Sequence, residues 1–176
     1  CRSDHHGLFD PKIFKSIIYD QRGCGKSKPY RILENNNTKN LISDIEKIRE
    51  FLKIDKFILV GGSWGATLAL CYAQLYPQNI RGIILRSVFL GTMAEIDWAF
   101  INAPKIFAPE LFNSFCEQAK AKNHKEVLEF YIKAILSDQS VYHSWIWHDY
   151  ERILSQINPN SHSFESKEKN IFYEKT

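Results

Sequence analysis

Apolar residues along this chain fall into two kinds of run before about Ser87 and one kind after it. Three short β-branched runs, KSIIYD from Lys15 to Asp20, KFILVG from Lys56 and RGIILRS from Arg81, read as buried parallel strands. Between the first two, TKNLISDIEKIREFLKI sets Leu41, Ile45, Ile48 and Leu52 at spacings of four, three and four, which is one apolar stripe of a helix with charges opposite. Thr38 fits its N-cap. GATLALCYAQLY from Gly65 reads as a second, largely apolar helix. Strand, helix, strand, helix, strand predicts an α/β fold in which a parallel sheet is flanked by helices.

After Ser87 the strand signal stops. AEIDWAF, PELFNSFCEQAKAKNHKEVLEFYIKAIL and SVYHSWIWHDYERILSQI all carry helical periods, so an all-helical subdomain follows the sheet. The expected organisation is an α/β part over residues 1–91, a helical part over 92–157, and a polar stretch over 158–176 that is either a tail or the start of a further segment. No internal repeat interrupts this plan.

Composition narrows the class of protein. The 176 residues are 44% hydrophobic and 14% aromatic, enough for one core and one small appendage. The net charge of +3 comes from 23 basic and 20 acidic residues interspersed along the chain, which supports neither nucleic-acid nor membrane binding. Cys1, Cys24, Cys71 and Cys116 lie far apart with no C-x-x-C pair and no histidine at ligand spacing, so free thiols in a reducing cytoplasm are expected, with no metal and no cofactor. The N-terminal CRSDHHGLFDP lacks the apolar centre of a signal peptide, and no apolar run of about 18 residues is present. Because the chain begins with Cys and not Met, it is expected to be an internal piece of a longer protein.

Two short stretches carry candidate chemistry. Gly25-Lys26-Ser27, inside YDQRGCGKSKP, looks like the end of a phosphate-binding loop. That motif needs a glycine five positions before Gly25, where bare backbone folds round the phosphates; here the position is Asp20, whose carboxylate would face an anion. The nucleotide reading is therefore set aside. The second stretch, GGSWG, fits the G-x-S-x-G nucleophile elbow with Gly61, Ser63 and Gly65, and Gly62 inside it. A strand runs into it and an apolar helix leaves it. On so sharp a turn the serine backbone is strained, and side chains two residues to either side are expected to collide, which explains glycine at both places. Ser63 is the candidate nucleophile, and the Trp64 backbone N–H the candidate oxyanion donor. A Gly-rich strand-to-helix turn with an unreactive serine is the alternative.

FDPKIFKSIIYDQRGCGKSKP, NTKNLISDIEKIREFLKI and FILVGGSWGATLALCYAQLYPQNIRGIILR resemble consecutive blocks of the proline iminopeptidases, serine exopeptidases of the α/β-hydrolase fold. The likeness runs from Cys1 to about Ile157, and DQRGCGKS and GGSWG are its most specific parts. It implies release of N-terminal proline from peptides by acyl transfer through Ser63. It makes residues 92–157 a cap over the active site and the Asp20 loop a structural turn, with Asp20 and Arg22 as a polar pair. In that family, cap carboxylates receive the substrate's free amino group, one of them in a W-x-x-W-E pattern. WHDYE matches it with Tyr150 in the second aromatic place, so the likeness points to Glu151 for amine recognition, buried and walled by aromatics such as Trp147; a glutamate on a helix surface is the alternative.

The same resemblance marks what this sequence is expected to lack. The family's catalytic aspartate and histidine follow the cap, and an H-G-G-P-G segment that gives the second oxyanion donor precedes the region like Cys1. None of these is found here, so the chain by itself is expected to be inactive. His124, His143, His148 and His162 fall in the helical part or the polar stretch and are read as solvent-facing or locally bonded. Trp98 and Phe100 stay open between core and pocket wall. Two other readings stand beside the peptidase: a related hydrolase of other amino-acid amides or esters, and a non-catalytic remnant or binding protein.

Overall fold

The structure, a computed structural model, describes residues 7–120, 124–137 and 140–156. Two compact units divide the chain, the first ending at Leu90 and the second beginning at Gly91.

In the first unit, α1 (Thr38–Phe51) precedes β1 (Phe57–Ser63), α2 (Trp64–Leu75), a single 3-10 turn at Pro77–Asn79 and β2 (Ile80–Val88). The two strands are parallel, paired from Phe57 opposite Ile80 to Ser63 opposite Val88, and α2 is the crossover between them. One sheet face is covered. Leu41, Ile42 and Ile45 of α1 and Leu68 and Tyr72 of α2 form its core, with Phe57, Leu59 and Ile80 packed against them. On the other face Ile58, Val60 and Ile84 are 44%, 38% and 42% exposed, as strand alternation requires.

Three expectations are corrected here. Residues 15–20 form no strand: among the described residues they have no ladder partner, and only Tyr19 of that run packs on the core. Apolar β-branched composition suits a strand, but a strand exists only where another backbone answers its N–H and C=O groups. The cap of α1 is Asn37, whose side chain accepts from the Asn40 N–H at 3.0 Å, and Thr38 is the first helical residue. The helix also stops earlier than its apolar spacing suggests. Lys53 turns left-handed at φ 54° and Leu52 is left 38% exposed.

Polar contacts hold this unit's loops. Glu46 on α1 accepts from Arg49 Nη2 at 2.5 Å, from the Tyr72 hydroxyl at 2.5 Å and from Asn79 Nδ2 at 3.1 Å, which ties α1, α2 and the turn before β2 together. Arg22 does not pair with Asp20. Its guanidinium grips Asp44 of α1 with Nε–Oδ2 2.7 Å and Nη2–Oδ1 2.6 Å, and Nη1 donates to the Asn35 carbonyl at 3.1 Å. The Asp20 carboxylate instead accepts the Lys26 N–H at 3.0 Å, which holds its pKa below the ordinary carboxylate value. A Cβ on Gly25 would lie 2.4 Å from that carboxyl carbon, so the glycine makes room for Asp20, not for a phosphate.

The second unit is helical throughout its described residues: α3 (Met93–Asp97), a π-helical turn at Trp98–Asn102, α4 (Ala103–Phe107), α5 (Pro109–Ala119), α6 (His124–Ile135) and α7 (Ser140–Leu154). Thr92 and Glu95 form a capping box that starts α3. The centre of this unit is an aromatic stack in which Phe115 lies between Tyr131, 4.1 Å away, and Tyr150, 3.9 Å away. Both hydroxyls are satisfied by backbone, Tyr131 donating to the Phe115 carbonyl at 3.0 Å and Tyr150 to the Phe100 carbonyl of the π turn at 2.8 Å. Phe100 packs on Trp147 at 4.9 Å, while Trp98 is 56% exposed. Among the described residues, no helix is long and apolar enough to cross a membrane, and Cys24, Cys71 and Cys116 are free thiols. Cys1, His162 and the polar stretch 158–176 lie outside the described residues.

Candidate active site

Ser63 ends β1 and is the N-cap of α2, so the chain turns from strand to helix across one residue. The turn forces φ 54° and ψ −124°, a region that non-glycine residues seldom enter. No side-chain cap bond forms there, so the hydroxyl is not spent on closing its own helix. Trp64 opens α2, and first-turn N–H groups have no intrahelical acceptor and carry the positive end of the helix dipole.

The two flanking glycines differ. A Cβ on Gly61 would sit 2.1 Å from the Gly65 carbonyl oxygen, 2.5 Å from the Gly65 carbonyl carbon and 2.9 Å from Ala66 N, so the first glycine is sterically required. A Cβ on Gly65 meets nothing within 4 Å, which corrects the expectation that both would collide. Contact at the elbow is one-sided because the carbonyl of residue 65 lies over residue 61, whereas the Gly65 side-chain direction faces open space. Gly62 pairs with Arg86 in the ladder, and a Cβ there would make only ordinary contact at 3.7 Å.

An open cleft of about 290 Å³ lies at the C-terminal ends of both strands, lined by Leu8, Val60, Gly61, Gly62, Ser63, Arg86 and Ser87. In a parallel sheet, ligands bind at this edge. The described lining contains the hydroxyls of Ser63 and Ser87 and the Arg86 cation but no histidine and no carboxylate. Sequence reasoning missed Arg86 and Ser87. The available signal was positional, since the strand next to the elbow strand must end beside it. Thr67 on α2 fastens that strand end through a short hydrogen bond from its hydroxyl to the Phe89 carbonyl.

Glu151 and Trp147 both lie on α7 of the second unit, one turn apart and therefore on one helix face. Glu151 is exposed, not buried as expected. The inward face of α7 carries His143, Ile146, Tyr150 and Ile153, and the carboxylate buried beside them is Asp149, 1% exposed and bonded to Arg152 Nε at 2.7 Å. Trp147 is half-buried against Phe100, Phe115 and Tyr131. His143 is buried with its ring edge-on to Phe130 at 5.3 Å and Tyr142 at 5.2 Å, so it is a packing residue and not solvent-facing; His148 is exposed. Among the described residues, no three His, Cys, Asp or Glu side chains gather in a way that could hold a metal ion.

A strand, a strained serine, a helix and a cleft at the carboxyl edge of parallel strands define a hydrolase scaffold. A model of the alpha/beta hydrolase fold matches residues 7–159, and the chain belongs to that family. Among curated proteins, it is 34% identical to a proline iminopeptidase of Arabidopsis thaliana over 169 residues, which is 94% of this chain and 44% of that protein. It is 38% identical to a proline iminopeptidase of Neisseria gonorrhoeae over 160 residues, 87% of this chain and 51% of the relative. With a proline iminopeptidase of Xylella fastidiosa the identity is 31% over 138 residues, 78% of this chain and 44% of the relative. The chain thus spans about half the length of the curated relatives it matches.

Proposed function

We propose that this protein is a serine aminopeptidase that releases N-terminal proline from peptides. The observation that carries the reading is the strained, positive-φ backbone of Ser63 at the head of α2, which is costly to hold and suits the presentation of a hydroxyl. In the reaction, Ser63 Oγ attacks the carbonyl carbon of the first residue while its proton passes to a general base, which then gives it to the leaving amine. The oxygen that becomes negative accepts from the Trp64 N–H. Collapse of that adduct breaks the peptide bond, the leaving amine takes up a proton, and water hydrolyses the acyl-serine in a second step. The base and its orienting acid are not assigned to residues of this chain. Glu151 of α7, exposed and one turn from Trp147, is the carboxylate proposed to receive the substrate's positive chain end. A peptide with a free N-terminal proline is the substrate, no cofactor takes part, and the free thiols fit a reducing cytoplasm.

The test uses the protein in its full encoded length. Proline p-nitroanilide is turned over, and Ser63→Ala lowers kcat/KM by at least about a thousandfold. Undiminished turnover in that variant refutes Ser63 as nucleophile. Faster hydrolysis of alanine than of proline p-nitroanilide moves the specificity to other amino-acid amides.

A further inference from the structure

Six non-glycine residues of the described chain have positive φ: Arg31, Asn35, Lys53, Ser63, Ser87 and Lys120. Four have local explanations. Lys53 and Lys120 follow the ends of α1 and α5, where left-handed residues close helices. Arg31 sits in a turn whose N–H returns to the Gly23 carbonyl at 2.9 Å, and Asn35 is of the type that tolerates this region while its carbonyl receives Arg22 and Asn40 side chains. Ser63 and Ser87 remain. Ser63 ends β1, Ser87 is the last residue but one of β2, and both line one cleft.

Ser87 is the extra residue of a bulge. The ladder steps from Gly62 opposite Arg86 to Ser63 opposite Val88, leaving Ser87 unmatched at φ 45°. Bulges beside active sites re-aim side chains. Glycine would hold this conformation at little steric cost, yet a hydroxyl stands there, and among the described residues it has no hydrogen-bond partner that offsets the strain. Attack by Ser63 places the substrate carbonyl carbon about 3 Å from its Oγ. The substrate's imino nitrogen is two bonds from that carbon, and adjacent strands are about 4.8 Å apart, so a hydroxyl on the next strand end reaches it.

We infer that Ser87 is a substrate-contacting residue of the Ser63 cleft, its hydroxyl accepting a hydrogen bond from the charged imino group of an N-terminal proline. The inference rests on the peptidase reading and adds a specificity residue to it. Ser87→Ala and Ser87→Gly in the full-length protein separate contact from scaffold. Both are expected to lower kcat/KM for proline p-nitroanilide about three- to tenfold, through KM, while Ser87→Gly melts no lower than the parent. The rate at which a fluorophosphonate labels Ser63, which needs no amine, stays within about twofold. Turnover within about twofold of the parent in both variants overturns the inference, and so does a parallel fall in labelling, which assigns Ser87 to elbow geometry. A parent protein that is labelled at Ser63 but releases no proline overturns the peptidase reading itself, and this inference with it.

Discussion

Gly61→Ala should be among the most damaging single methyl additions in this protein, and Gly65→Ala among the mildest. At position 61 the added carbon would overlap three backbone atoms at 2.1, 2.5 and 2.9 Å, all belonging to the first turn of α2. No side chain is available to swing aside. Relief requires α2 to lift from β1 by about an ångström, yet Ala66 and Leu68 near its start are 0% and 3% exposed, and such shifts in a packed core cost about 3 kcal/mol or more. At position 65 nothing lies within 4 Å, so the methyl gains helix propensity without contact and stabilises by about 0.5–1 kcal/mol. Thermal unfolding of the two full-length variants beside the parent reads both effects, at about 2–4 °C per kcal/mol for a domain of this size. If Gly61→Ala melts within about 1 kcal/mol of the parent, the elbow is looser than these distances say and the steric account of the motif fails.

Three further outcomes follow from the polar contacts. The Glu46 carboxyl is held below its ordinary pKa first by Arg49 and then by Tyr72 and Asn79, so the stability it contributes is present above the unfolded value near 4.5 and is lost as pH falls through the folded pKa. Glu46→Gln should flatten the acid limb of a melting-temperature profile and cost about 1–3 kcal/mol at neutral pH; an unchanged acid limb refutes this. A double-mutant cycle with Arg22→Met and Asp44→Asn should give a small favourable coupling, because the pair is bidentate but a quarter exposed, with side-chain exposures of 26% and 23%, and a coupling near zero removes the clamp from the loop's description. Asp149→Ala strands Arg152 in the aromatic unit and should cost about 3 kcal/mol in denaturant unfolding, whereas Glu151→Ala on the exposed face should change stability little.

What the sequence made legible is what depends on local patterning. β1, α2 and β2 were readable because a β-branched run meeting a glycine-rich turn and then an apolar helix has few other solutions, and the helices of the second unit were readable from their period. Residues 15–20 were misread because the same composition carries no information about whether a second backbone lies alongside. Arg22 and Asp44 could not be matched, since Asp20 is nearer in sequence and charge alone does not say which carboxylate a guanidinium will face. Asp149 is buried and Glu151 is not because Asp149 lies one turn from the buried Trp145 and Ile153, whereas Glu151 lies one turn from the exposed His148 and the half-buried Trp147.

The elbow shows where pattern reading succeeds for a partly wrong reason. G-x-S-x-G predicted two steric glycines; the structure requires only the first, because a Cβ at residue 61 would strike the carbonyl of residue 65 while a Cβ at residue 65 meets nothing within 4 Å. A motif records which residues occur together and leaves open which atom excludes which. The same limit hid Ser87, whose neighbours in sequence carry no motif and whose position becomes notable only when the bulge places it beside Ser63. Strain that no local bond offsets is a three-dimensional observation. At Ser63 the sequence had a name for it, and at Ser87 only the backbone angle and the shared cleft reveal it.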